Sequence, residues 1–111
     1  MTFQVIVGPI AKEDLSRNAN WWANNHSVDQ AVKWIDAVEL QLQDLVLNPE
    51  GFGYAPENGL FSYPLHQMLV GMGKRRSYRA VYTIKPTEVH VLTIRRAAQD
   101  TTKLADLPLD V

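Results

Sequence analysis

The apolar positions change period along this chain, and each change marks an element. Phe3 to Val7 is a short apolar run closed by Gly8-Pro9, the length and composition of a strand. Pro9 suits the first turn of a helix, where its missing N–H costs nothing. From Ile10 to about Asn24 the apolar residues Ala11, Leu15, Ala19 and Trp22 recur at helical spacing, with Lys12, Glu13, Arg17 and Asn18 on the outer face. Asn24-Asn25-His26 breaks the pattern, and Ser27-Val-Asp-Gln30 reads as a capping box that opens a second helix. Ala31, Trp34, Ile35, Val38, Leu42, Leu45 and Val46 then form the strongest stripe in the chain, stopped by Asn48-Pro49. The short connector predicts an antiparallel helical hairpin.

Glu50 to Tyr63 carries three glycines and Pro56 and reads as loop, with Phe52, Tyr54, Phe61 and Tyr63 packing within it. Leu65–Gly71 is a strand, Gly71–Arg76 a basic turn, and Ser77–Lys85 and Glu88–Arg96 are two more strands joined at Lys85-Pro-Thr-Glu88. Three consecutive strands predict an antiparallel meander. The order β-α-α-β-β-β gives an α+β domain over residues 1–111: a helical hairpin on one face of a mostly antiparallel four-stranded sheet, the other face left open. The tail from Ala97 to Val111 has a weak helical opening and Pro108, and is expected to be loose or partner-dependent.

Charge adds a direction to this layout. The 111 residues carry a net −1, but residues 1–64 hold three basic and eight acidic side chains, and residues 65–111 hold eight basic and four acidic ones. An acidic helical layer and a basic sheet layer would aim an anion-binding face one way. The chain has no cysteine, which removes disulfides and thiolate metal sites and suits a cytoplasmic setting. No apolar run approaches the roughly 18 residues of a membrane span, and the N-terminus lacks the pattern of a signal peptide. Nothing in the spacing of the three histidines signals a metal, and no cofactor motif is present.

Candidate chemistry concentrates in the basic half. Tyr78, Ala80, Tyr82 and Ile84 share one strand face, the better core face, which puts Arg79, Val81 and Thr83 on the other. There Arg79 could meet a phosphate or a partner's carboxylate; the structural alternative is an internal ion pair with a helix carboxylate such as Glu39 or Asp44. Lys74, Arg75 and Arg76 in the turn, with Arg95 and Arg96 at the end of the last strand, are candidates for contact with a target or an acidic partner, or are simply solvated charge. His66 and His90 could act as general bases beside Arg79 in phosphodiester cleavage, or be ordinary strand histidines. Trp22 and Trp34 fit the helical stripes as core; Trp21 cannot share their face fully and is expected to be half exposed or at an interface.

Several segments in order carry a family resemblance. Ala11-Lys-Glu-Asp-Leu15 opens the first helix, Ala31-Val-Lys-Trp-Ile35 lies in the second, and Leu45-Val-Leu-Asn-Pro49 ends it. Ser77-Tyr-Arg-Ala-Val-Tyr82 forms a strand, and Val89-His-Val-Leu-Thr-Ile94 leads to Arg95-Arg-Ala-Ala-Gln-Asp100. Together they resemble the RelE/ParE superfamily of bacterial type II toxin–antitoxin toxins, often described as plasmid stabilisation proteins. The resemblance implies a growth-inhibiting toxin neutralised by a cognate antitoxin, in a homodimer or hetero-oligomer, with operator DNA reached only through the antitoxin. RelE-type members cut ribosome-bound mRNA with a set of basic residues and often a C-terminal tyrosine; ParE-type members poison DNA gyrase. Arg79 stands where RelE-type toxins keep a phosphate-stabilising arginine. Gln99 and Ala105 stand where the second arginine and the tyrosine would fall. The resemblance is therefore closer to the ParE type. The alternatives are an mRNA endoribonuclease with an atypical site built from Arg79, His66 and His90, or a non-toxic binding module.

Overall fold

The computed structural model describes residues 2–74, 76–98 and 107. Strand β1 (Gln4–Val7) is followed by helices α1 (Pro9–Asn25) and α2 (Val28–Leu42), then by strands β2 (His66–Val70), β3 (Tyr78–Ile84) and β4 (Glu88–Arg96). The sheet order is β1-β4-β3-β2, with β1 parallel to β4 and the other pairs antiparallel. The predicted α+β architecture is what forms.

The helices begin where local chemistry permits. Pro9 occupies the first turn of α1, and the Ser27 hydroxyl caps α2 by accepting from the Gln30 N–H at 3.1 Å. After Leu42 the helix tightens into a 3₁₀ turn over Gln43–Val46, and a second 3₁₀ turn spans Pro49–Phe52 inside the segment read as loop. Gly53 then takes φ +91, open to glycine without strain, and its carbonyl accepts from the Gln67 N–H.

Two apolar clusters lie on opposite sides of the sheet. The larger joins Ala11, Trp34, Val38, Leu42 and Leu45 to Met68, Tyr78, Ala80, Tyr82, Val89, Val91 and Ile94. The face assigned from the β3 alternation is correct. The opposite face is not open, as the sequence reading expected: Ala55, Leu65, Val81, Leu92 and Leu107 form a second cluster there, flanked by Phe61 and Tyr63. The segment from Gly53 to Pro64 thus folds back over the sheet instead of hanging from it. Leu92 is the extra residue of a bulge that separates the pairings Tyr82↔Val91 and Val81↔Thr93.

One part of α1 substitutes for a strand. β1 pairs with β4 only as far as Val91, after which Gly8 turns the chain away. Beyond that point Asp14 accepts from the Ile94 N–H at 3.0 Å and from the Thr93 hydroxyl at 2.5 Å, and the Asn18 amide donates to the Ile94 carbonyl at 3.3 Å. Asn18 therefore faces the sheet and is half-buried, not on the outer face where the helical stripe had put it.

Candidate functional site

Arg79 projects from β3 into the second cluster and is only 4% exposed. Its guanidinium grips the fully buried Glu57 at both carboxylate oxygens, with one contact at 2.9 Å, and also donates to the Gln67 side chain at 3.3 Å. A bidentate pair of this kind matches the arginine fork to a carboxylate and fills the directions a phosphate would use. The expected exposed arginine is thus corrected: Arg79 is paired and buried. The internal ion pair is real, but its partner comes from the loop, not from Glu39 or Asp44 of the helical layer. Burying either charge alone would be very costly, so the loop and the strand arginine fix one another.

The two histidines do not join Arg79. His66 lies opposite Tyr82 in the β2–β3 register and stacks between Tyr54 and Tyr82, at centroid distances of 4.6 and 5.6 Å. Tyr82 belongs to the helix-side face, so His66 and Arg79 point to opposite sides of the sheet. The buried Nδ1 of His66 has no hydrogen-bond partner among the described residues. The His66 ring lines a cavity of about 430 Å³ with Glu50, Gly53 and Tyr54. His90 pairs with Thr83 in the register, four positions from Arg79, roughly 13 Å along the strand. Its Nε2 lies 3.1 Å from a Glu88 carboxylate oxygen. The set Arg79, His66 and His90 is spread over two faces.

The other basic residues also separate. Arg95 lies opposite Arg79 and shares its side of the sheet, half-buried. Arg96 lies opposite Tyr78 on the helix side, where its guanidinium sits 4.2 Å from the centroid of the Trp21 ring. Lys74 and Arg76 are exposed in the turn between β2 and β3; Arg75 lies outside the described residues, as do Gln99 and Ala105. Trp34 is fully buried, Trp22 packs at the edge of the main core, and Trp21 is 38% exposed against Trp22, His26 and Arg96.

Three residues that build this region were not singled out from sequence. Glu57 sits in a segment without periodicity, and nothing local marks it as the partner of Arg79. Asp14 carries a readable signal, since Asp14 and Asn18 are polar at i, i+4 on one helix face. Gln41 clamps the end of β2: its side chain donates to the Gly71 carbonyl at 2.9 Å and accepts from the Gly71 N–H at 2.8 Å.

A two-helix, four-stranded α+β fold with this strand order defines the class. The family model described as the ParE toxin of type II toxin-antitoxin systems, parDE, matches residues 5–101, and the chain belongs to that family. A solved structure titled the chromosomal ParDE TA system from P. aeruginosa superposes with a TM-score of 0.68 at 17% identity, covering 86% of this chain and 96% of that one. None of the curated proteins matches this chain.

Proposed function

We propose that this chain is the growth-inhibiting toxin of its toxin–antitoxin pair, acting in the cytoplasm on DNA gyrase and held inactive by a cognate antitoxin. Membership of the ParE family supports the toxin assignment. The observation that carries the choice of target is the buried Arg79–Glu57 pair. An mRNA nuclease on this sheet would need Arg79 to face a phosphate, with a base within hydrogen-bonding reach of the attacking hydroxyl. Arg79 is instead closed off by a carboxylate, and His66 and His90 are not beside it. A toxin that works by protein contact needs no such convergence. The exposed Lys74 and Arg76, with the half-buried Arg95 and Arg96, are then the cations offered to gyrase or to acidic residues of the antitoxin.

Inducible expression in a bacterial host tests this, with mRNA 5′ ends sequenced and gyrase supercoiling assayed in the same lysates. The expected result is blocked supercoiling with intact mRNA. Ribosome-phased mRNA cuts that disappear in Arg79→Ala would overturn the gyrase reading and make the chain a nuclease. Healthy cells with neither effect would make it a binding module that keeps the family fold.

A further inference from the structure

The segment that covers Arg79 contains a chemically reactive turn. The chain has six asparagines: Asn18, Asn20, Asn24, Asn25, Asn48 and Asn58. An asparagine side chain closes into a ring when the next backbone nitrogen reaches its amide carbon, so the state of that nitrogen decides which of them can react. Asn18, Asn20 and Asn24 are each followed by a residue inside α1, where the N–H is held by the helix. The nitrogen after Asn25 is that of His26 and donates to the Trp22 carbonyl at 2.9 Å. The nitrogen after Asn48 is that of Pro49, which has no proton to give up. Asn58 differs from all five. Gly59 follows it, and the Gly59 N–H has no hydrogen-bond partner among the described residues. Both residues sit at the centre of an exposed turn closed by the Leu60 N–H, which donates to the Glu57 carbonyl at 3.0 Å. Gly59 takes φ +100 in open space and carries no side chain to hinder attack. The same turn anchors the cover. The Leu65 N–H donates to the Asn58 side-chain oxygen at 3.0 Å, the Asn58 N–H donates to the Ala55 carbonyl at 3.0 Å, and Glu57 beside it grips Arg79.

We propose that Asn58 is a site of spontaneous deamidation in the native protein, and that its isoaspartyl product loosens the cover over Arg79. The Gly59 nitrogen gives its proton to hydroxide and bonds to Cγ of Asn58. The side-chain amide takes a proton from water and leaves as ammonia, and a succinimide ring remains. Water then opens the ring, its hydroxyl going to one ring carbonyl carbon and its proton to the nitrogen; nothing is oxidised or reduced. Opening at Cγ gives aspartate. Opening at the backbone carbonyl gives isoaspartate, whose main chain runs through Cβ and Cγ. Either product places a new negative charge beside Glu57. Only isoaspartate also lengthens the main chain, inside a turn whose bonds to Leu60 and Leu65 are set by its length. Glu57 then loses its fixed position over β3, and Arg79 meets solvent more readily. This site stands independently of whether the toxin acts on gyrase.

Ageing the purified full-length chain in mildly alkaline buffer tests it, read by mass spectrometry of its proteolytic peptides. The expected result is conversion of Asn58 to an acid before any other asparagine, as two separable isomers. The isoaspartyl fraction of the intact protein should exchange its Ala55 amide about fivefold to tenfold faster than the unaged chain, the effect of losing one hydrogen bond. Arg79 should become open to an arginine-selective dicarbonyl reagent in that fraction, while exchange at the Tyr82 amide stays unchanged. Asn58→Asp adds the charge without the longer main chain and keeps an acceptor for the Leu65 N–H, so it should behave as the unaged chain does. Asn58→Gln, which would have to close a larger and slower ring, should stay unmodified through the same ageing. If that variant unfolds, the aged wild-type chain still decides the matter. An unmodified Asn58, acid appearing first at Asn24 or Asn25, an isoaspartyl fraction with unchanged Ala55 exchange and Arg79 labelling, or equal opening in Asn58→Asp would each overturn the proposal.

Discussion

Glu57 determines what Arg79 can do. A buried arginine without its carboxylate is an uncompensated charge, so Glu57→Ala should lower unfolding free energy by about 3–5 kcal/mol, whereas Glu57→Leu combined with Arg79→Met should recover most of that loss. Urea melts of the single and double variants check this; a double variant as unstable as the single one would show that the pair itself contributes net stability. Tyr82 supplies a second residue-scale prediction. Its hydroxyl donates to the Pro49 carbonyl at 2.5 Å, and burial pushes its pKa up to about 12 from the ordinary 10. The folded state therefore holds this proton more tightly than the unfolded chain. The resulting stability is intact below pH 10 and is lost as pH rises from about 10 towards 12, to the extent of roughly 2–3 kcal/mol. Ultraviolet titration of the native protein should show a phenol ionising near pH 12 that is lost in Tyr82→Phe. The side of the sheet that Arg79 occupies was legible from alternation alone. Its burial was not, because the residue that neutralises it lies 22 positions away in sequence, in a segment with neither helical nor strand period.

At the scale of elements, the helical stripes and the β3–β4 hairpin were readable because burial on one side imposes a period on the sequence. Contacts at element ends were less readable, since they rest on single polar groups. Asp14 and Asn18 illustrate this. They satisfy both backbone groups of Ile94 where β1 has left the edge of β4, so a helix face does the work of a fifth strand. Replacing Asp14 by Ala leaves the Ile94 N–H and the Thr93 hydroxyl buried and unsatisfied, which should cost about 2–4 kcal/mol. Asp14→Asn keeps an acceptor and should cost less. Hydrogen exchange at the Ile94 amide is the specific readout: it should accelerate in Asp14→Ala more than exchange at Val89, which is held within the β1–β4 ladder. Equal acceleration at both amides would mean that Asp14 acts only through global stability. The second helix makes the complementary contact at the other edge, where Gln41 holds Gly71. The hairpin thus covers one sheet face and also stops both edges by side-chain mimicry of a backbone.

The whole molecule is a sheet covered twice, by helices on one face and by a folded-back segment on the other. Only the first cover announces itself in sequence, as amphipathic helices do. The second is assembled from Ala55, Leu65 and the distant Leu107, which meet Val81 and Leu92 of the sheet. This cover contains Glu57 and therefore closes over Arg79, so its local stability sets how often the strand arginine meets solvent. Leu107 is 5% exposed and joins the cluster from beyond the last strand. Leu107→Ala should cost about 2 kcal/mol, near the low end for a buried leucine because its neighbours can relax at the periphery. The main core between helices and sheet does not touch Leu107, so the loss should be regional. Protection of the Ala55 amide, which donates to the Leu65 carbonyl at 2.9 Å, should fall well before protection of the Tyr82 amide in β3. In that opened state Arg79 and Glu57 would share their charges with water, and the sheet would present the basic face that its sequence had suggested. Equal loss of protection at Ala55 and Tyr82 would instead make the two clusters one cooperative unit, with Arg79 released only on global unfolding.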